Sequence, residues 1–153
     1  MRNRLATMRP ITGDSANVLK PSKANRPQSH CHCIVCGNAN PASLGLQFFK
    51  SPDGGVQGTF KGNSLLQGYK GILHGGIISA LLDAAMAHWL FHHNIEAVTG
   101  ELNVRFLHPV PCCAQLKISA RLIENQGLLY RLESEIHNGN QKLAKATGRF
   151  MKP

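Results

Sequence analysis

Two glycines after a histidine, followed by one carboxylate two helical turns later, are the residues best suited to chemistry. Residues 72–93 read ILHGGIISALLDAAMAHWLFHH, and Asp83 is the only acid among them. Glycines at a helix start let another group approach backbone N–H groups that have no acceptor within the helix. The helix dipole adds positive potential there, so a carbonyl oxygen could be held as in an oxyanion hole. The alternative is that Gly75 and Gly76 only allow close packing of the helix on a sheet.

Asp83 interrupts an otherwise apolar helix and therefore needs an explanation. A buried carboxylate without a partner costs several kcal/mol unless something pairs with it or solvates it. One interpretation is a structural salt bridge to Arg105 or Arg121. The other is a nucleophile or general base that faces a cleft.

The spacing of these groups favours a site shared between two chains. Gly76 and Asp83 are seven residues apart and lie on one face of the helix, but they are about 10 Å apart along its axis. One substrate carbonyl cannot easily have its oxygen at Gly76 and its carbon next to Asp83 of the same helix. If two copies packed these helices antiparallel, Asp83 of one would face Gly76 of the other, which predicts a symmetric dimer.

The elements around this helix predict the fold. Strand-like patterns occur at residues 44–51 and 54–62, the helix runs from Gly75–Ile77 to Asn94, and four further alternating patterns follow. These four are residues 97–108, 114–124, 128–137 and 142–151, with turns that predict consecutive antiparallel hairpins. A helix that is apolar on nearly every face must be surrounded. We therefore predict an α+β fold in which a curled antiparallel sheet of five to six strands wraps around one long central helix.

Composition narrows the class of protein. A chain of 153 residues with 42% hydrophobic residues is typical of one globular domain. The net charge is +9, and residues 1–29 contribute +5 of it, with three prolines and no sustained period. We predict a basic tail over residues 1–29 and one domain over residues 30–153. The basic balance favours anionic partners, either nucleic acid or phosphate-bearing molecules.

The N-terminal segment and the cysteines bear on location. No apolar segment typical of a secretory signal precedes the domain, and five cysteines is an odd number, so we expect a cytoplasmic protein. The arginines of the tail leave an organellar transit peptide as the alternative. The apolar helix is interrupted and too short to span a bilayer, so we expect no membrane partner.

The segment GILHGGIISALLDAAM and the later AVTGELNVRFLHPV together resemble a known family. They are similar to hotdog-fold acyl-CoA thioesterases of the phenylacetic-acid-degradation type, in the 4-hydroxybenzoyl-CoA thioesterase superfamily. CIVCGNANPASLGLQF is similar to the lead-in strand of that group, so the resemblance covers residues 33–151. It implies a hotdog fold, a homodimer or dimer of dimers, an acyl-CoA substrate and no cofactor.

The resemblance also implies roles for individual residues. The Gly76 N–H would polarise the thioester carbonyl, with Gly75 beside it, and His74 would shape the loop. Asp83 of the facing chain would be the nucleophile or the base for a water, and Thr99 would hydrogen-bond the carboxylate or that water. The family often has Asn or Gln six residues before the histidine. Gly68 occupies that position here, so Gln67 beside it is the candidate to hold the water.

The cysteine-rich connector HCHCIVCG offers a different chemistry. Cys33 and Cys36 have the spacing of a zinc knuckle, but a closed zinc site usually takes a second ligand pair distant in sequence. A redox role for this pair lacks the βαβ context that it would need. We therefore predict small, partly buried residues here and no metal.

Alternatives to a thioesterase come from other classes. A non-catalytic acyl-CoA sensor would not need Asp83, and a hotdog hydratase would need an acid as well as a base. A nucleic-acid module built on residues 1–36 lacks the aromatic side chains on which bases stack, since none precedes Phe48. We therefore expect no nucleic-acid partner. Arg105, on a strand beside the cleft, could meet a CoA phosphate or take part in a structural ion pair.

Overall fold

The structure, a computed structural model, describes residues 26–153. Most of the predicted basic tail therefore lies outside the described residues. Arg26 is packed onto the domain, because its guanidinium donates a hydrogen bond to the carbonyl of Cys36. A short 3-10 turn, Gln28–His30, follows it and leads into the cysteine-rich connector.

The fold is α+β, as the sequence predicts. The elements are β1 (Phe48–Lys50), β2 (Val56–Lys61), α1 (Gly75–His92), β3 (Val98–Phe106), β4 (Gln115–Gln126), β5 (Leu129–Asn138) and β6 (Gln141–Met151). The six strands form one antiparallel sheet in the order β1-β2-β4-β5-β6-β3. Each predicted strand is present, although β1 is limited to three residues.

Helix α1 is the centre of the core. It contacts all six strands, and ten of its residues are buried, among them Leu81, Met86 and Leu90 with no exposed surface. Because the sheet curls around the helix, apolar side chains on most of its faces leave water, which accounts for its lack of amphipathic pattern. Among the described residues, no helix is long and apolar enough to cross a membrane.

The pairing of β3 corrects one sequence prediction. The hairpins β4–β5 and β5–β6 form as predicted, but β3 pairs with β6 and not with β4. The connection that contains Pro109 and Pro111 does not join two neighbouring strands of the sheet. Pro111 bridges to Ile72, before the helix, and the Leu107 and His108 N–H groups both donate to the Leu143 carbonyl. The connection thus runs from β3, at one edge of the sheet, past the start of helix α1 to β4.

This pairing leaves β3 as an edge strand with one free side. Three large apolar side chains on it or next to it are exposed: Val98 (62%), Phe106 (53%) and Leu107 (39%). A nine-residue edge with unpaired backbone groups is a template for pairing with another chain. The fold therefore offers an edge suited to self-association.

Candidate functional site

His74 caps the start of helix α1. Its backbone is extended (φ −60°, ψ 135°), and its ring Nδ1 accepts the N–H of Gly76 at 2.9 Å. The Gly76 N–H, which the family resemblance implies as the carbonyl donor, therefore already has an acceptor. Gly75, the first helical residue, has no acceptor for its N–H among residues 26–153. The free donor at the positive end of the dipole is Gly75.

The loop before the helix is held by its own hydrogen bonds. The side-chain oxygen of Gln67 accepts the Gly71 N–H at 2.9 Å, and the Gly68 N–H donates to the Ile72 carbonyl at 2.9 Å. A side chain on Gly68 would bring its Cβ within 3.3 Å of the His74 ring. Gly68 therefore lets the loop pack on His74, and Gln67 braces that loop. The role of Gln67 in holding a water stays a prediction.

An open cavity of about 480 Å³ lies beside the helix start. His74, Gly75 and Ile78 line one side of it, and Phe106 and its neighbours line the other. Its lining is largely apolar, and a Cβ placed on Gly75 would lie 3.5 Å from the Phe106 ring. We call this space the Gly75 cavity. It can hold an apolar group with one polar atom directed at the Gly75 N–H.

Asp83 lies on the same helix and is bonded to the following strand. Thr99 donates its hydroxyl hydrogen to the Asp83 carboxylate at 2.8 Å. Burial raises the pKa of Asp83, while the Thr99 hydrogen bond and the nearby His30 ring act in the opposite direction. A carboxylate with a raised pKa is a better proton acceptor than an ordinary aspartate when it is ionised.

The structural salt bridge considered for Asp83 is not formed. Within the described part of the chain, no Lys, Arg or His nitrogen lies within 4.0 Å of its carboxylate. Arg121 pairs with Glu133 instead. Arg105 is exposed in a surface groove with Asn103 and Lys145, and it does not line the Gly75 cavity.

A second cavity, of about 450 Å³, contains the Asp83 carboxylate. Thr99 and Val98 line it from β3, Ala87 and Phe91 from the helix, and His30 from the connector. We call this space the Asp83 cavity. The protein thus has a free N–H donor in one cavity and a base with its positioning hydroxyl in the other.

The two cavities lie at different positions along one helix. Gly75 and Asp83 are eight residues apart, which is about 12 Å along the axis. A carbonyl bonded to Gly75 is therefore out of reach of Asp83 in the same chain. Each chain thus carries the donor and the carboxylate in separate cavities, and we call these the two halves of the candidate site.

A family model described as "Thioesterase superfamily" matches residues 70–145, which include both halves. An uncharacterized protein of Schizosaccharomyces pombe, C26H8.11c, is 30% identical over 142 residues, covering 88% of this chain and 81% of that protein. The chain belongs to the thioesterase superfamily.

A second relative has a named activity. The acyl-coenzyme A thioesterase THEM4 of Bos taurus is 32% identical over 95 residues, which are 61% of this chain. The chain spans only 39% of the length of that relative.

Solved structures support the hotdog thioesterase fold. A thioesterase superfamily protein has a TM-score of 0.74 at 24% identity, covering 79% of this chain and 60% of its own. The PaaI protein of E. coli, from the phenylacetic acid degradation operon, has a TM-score of 0.66 at 21% identity. The match covers 71% of this chain and 84% of the PaaI chain. The smu.793 protein of Streptococcus mutans, bound to acetyl-CoA, has a TM-score of 0.61 at 24% identity. The match covers 64% of this chain and 80% of the smu.793 chain.

Two residues line the cavities although the sequence predicted no catalytic or substrate-binding role for them. His30 faces the Asp83 cavity from the connector, and Phe106 faces the Gly75 cavity from the end of β3. The alternation of β3 marks Phe106 only as an apolar strand residue. Nothing in the local pattern at His30 signals that the connector folds back against the helix.

Proposed function

We propose that this protein hydrolyses acyl-CoA thioesters at a site shared between two copies of the chain. The observation that carries the proposal is the division of the chemical groups between two cavities on one helix. The Gly75 cavity offers the free backbone donor, and the Asp83 cavity offers the carboxylate with its Thr99 partner. The THEM4 relative supports acyl-CoA as the substrate class.

Edge strand β3 supplies a way to join the halves. Its first residues, Val98 and Thr99, line the Asp83 cavity, and its last residue, Phe106, lines the Gly75 cavity. If two β3 edges pair antiparallel about a two-fold axis, the start of one strand lies beside the end of the other. Each Asp83 cavity is then joined to the partner's Gly75 cavity. Pairing also covers the exposed edge and its apolar side chains.

The chemistry needs few groups because a thioester is already an activated acyl group. The carbonyl oxygen accepts a hydrogen bond from the Gly75 N–H, and this bond stabilises the negative charge that develops on the oxygen during the reaction. Asp83 of the partner removes a proton from a water that attacks the carbonyl carbon, or attacks it directly. Thr99 fixes the carboxylate through its hydroxyl. The C–S bond breaks, and the CoA thiolate takes up a proton. If Asp83 has attacked directly, a water molecule then hydrolyses the anhydride formed between the acyl group and Asp83, so that either route yields a carboxylic acid and CoA.

Thiol release from a panel of short, medium, long and aryl acyl-CoAs tests the proposed activity. We expect turnover of at least one class, and the preferred class identifies the acyl group that the Gly75 cavity accepts. Binding measured in parallel separates the alternatives. Acyl-CoA binding without thiol release from any member of the panel would contradict the proposal and favour a non-catalytic sensor.

Mixed dimers should regain activity that each mutant lacks. Asp83→Asn and Gly75→Pro damage different halves, so a dimer with one copy of each contains one intact site and one doubly damaged site. After co-expression with two affinity tags and purification through both, we expect about half the wild-type activity per dimer. Homodimers of each variant are the controls. Mixed dimers as inactive as the controls would show that each site lies within one chain.

Thr99→Ala should change the pH dependence as well as the rate. The Thr99 hydroxyl stabilises the ionised carboxylate and so lowers the pKa of Asp83. Without it this pKa rises, and the carboxylate ionises only at higher pH. We therefore expect the acid limb of the kcat profile to move to higher pH, with a loss of about tenfold or more in the maximum. Thr99→Ser keeps the hydroxyl, so the acid limb of its kcat profile should stay at the wild-type pH. An acid limb that does not move in Thr99→Ala would contradict the assignment of Asp83 as the ionising group.

A further inference from the structure

Three potential metal ligands converge in the connector before β1. One ligand atom from each of His30, Cys33 and Cys36 lies within 4.8 Å of the other two. The residues are three apart, and successive turns bring them together: the Cys33 N–H donates to the His30 carbonyl at 3.2 Å, and the Gly37 N–H donates to the Cys33 carbonyl at 2.8 Å. Nitrogen and sulfur ligands in this number are typical of zinc sites.

The backbone around the two cysteines fixes their positions. The Val35 N–H donates to the Cys33 sulfur at 3.4 Å, which orients that sulfur. The turn closes so tightly that a Cβ on Gly37 would lie 2.5 Å from the Cys31 carbonyl oxygen and from the Cys33 nitrogen. Only glycine fits there. The loop geometry therefore depends on the sequence Cys33-x-x-Cys36-Gly37.

Helix α1 supplies a fourth candidate ligand. His88 is 3% exposed, and neither of its ring nitrogens has a hydrogen-bond partner within the described chain. It lines a cavity together with Cys36, and both His88 and His30 pack against the Phe91 ring, with centroids 5.2 and 4.9 Å away. A buried imidazole without a partner is costly, and a metal bond would remove that cost.

We propose that His30, Cys33 and Cys36 bind one zinc-class ion and that His88 provides the fourth ligand. Two thiolates balance the charge of a divalent cation, and four protein ligands make the site structural. His88 is the sequence-distant ligand that the local Cys-x-x-Cys spacing lacks, and this assignment reverses the prediction of no metal. The ion would fasten the connector to α1, and His30 would then fix one wall of the Asp83 cavity. The site stands independently of the proposed function.

Metal content of the full chain tests the proposal. The protein, purified under reducing conditions and stripped with a chelator, is loaded with Zn²⁺ for mass spectrometry and with Co²⁺ as a spectroscopic probe. We expect about one equivalent of metal, a thiolate-to-cobalt charge-transfer band and d–d bands of tetrahedral intensity. Bound zinc should also raise the Tm.

Single substitutions then locate the ion. Cys33→Ser and Cys36→Ser should each weaken binding by at least about a hundredfold and remove part of the charge-transfer band. Cys113→Ser and His32→Ala change exposed residues outside the cluster and should bind like the wild type. His88→Gln should shift the cobalt d–d bands, because one of the four ligands changes. Circular dichroism of the metal-free variants shows whether each still folds.

Several results would overturn the proposal. Wild type that retains less than about a tenth of an equivalent after reduced loading has no such site, whether or not a Cys33–Cys36 disulfide is then detected. Wild-type affinity in both cysteine variants would place the ion elsewhere. Unchanged affinity and bands in His88→Gln would remove His88 from the ligand set.

Discussion

Asp83→Asn should lower thiol release from acyl-CoA by at least about a hundredfold, the usual contribution of a positioned general base. Asparagine has the same shape and can still accept the Thr99 hydrogen bond, so the cavity is retained. It cannot take a proton from water or form an acyl intermediate. The loss should appear in kcat in a direct comparison with the wild type. Asp53→Asn, at an exposed turn carboxylate, should keep wild-type activity.

The same substitution should leave the fold intact or make it more stable. Burial raises the pKa of Asp83 above its value in the unfolded chain, so the ionised carboxylate destabilises the folded state at neutral pH. Removing that charge should increase the free energy of unfolding by about 1 kcal/mol, or about 2–4 °C in Tm. The difference should shrink as pH falls through the folded-state pKa, because the wild type then becomes neutral too.

Thermal unfolding at neutral and acid pH therefore separates a catalytic role from a structural one. An inactive Asp83→Asn protein with a raised or unchanged Tm has lost chemistry alone. A Tm that falls sharply would mean that the carboxylate stabilises the fold, and the loss of activity would then follow from unfolding.

The elements of this fold could be predicted because local patterns determine them. A helix apolar on every face must be enclosed, and alternating strands with Asn-Gly turns form hairpins wherever two neighbours pair. The pairing of β3 with β6 could not be predicted in this way. It depends on how the Pro109–Pro111 connection passes the start of helix α1, where Pro111 pairs with Ile72. Contacts between distant segments leave no local signal.

The residues of the candidate site likewise differ in whether a local sequence pattern reveals them. His74, Gly75 and Asp83 stand out in the sequence because glycines and an acid are unusual in an apolar helix. The capping of Gly76 by His74 is a matter of side-chain orientation, and it transfers the free donor to Gly75. The sequence does not show which cavities His30, Phe106 and His88 line, because their positions depend on how the connector and the strands fold against the helix.

Gly75→Pro should remove the proposed carbonyl donor while leaving the helix in place. Proline lacks the N–H, and it is well tolerated at the first position of a helix, where that N–H has no acceptor within the helix. The extended backbone of His74 is compatible with a following proline. A Cβ at this position meets only the Phe106 ring, at an ordinary contact distance of 3.5 Å. Loss of one oxyanion donor should lower kcat by about 10²–10³-fold.

Gly75→Ala is the matched control, because it adds a comparable Cβ but keeps the N–H. It should retain activity within a few-fold of the wild type, and the ratio between the two variants isolates the contribution of one hydrogen atom. Both should unfold near the wild-type Tm. If Gly75→Pro stayed active, the carbonyl would have to be held by another donor, and the Gly76 N–H released from His74 would be the next candidate. If both variants lost activity equally, the added side chain would be obstructing substrate, and the donor role of Gly75 would be wrong.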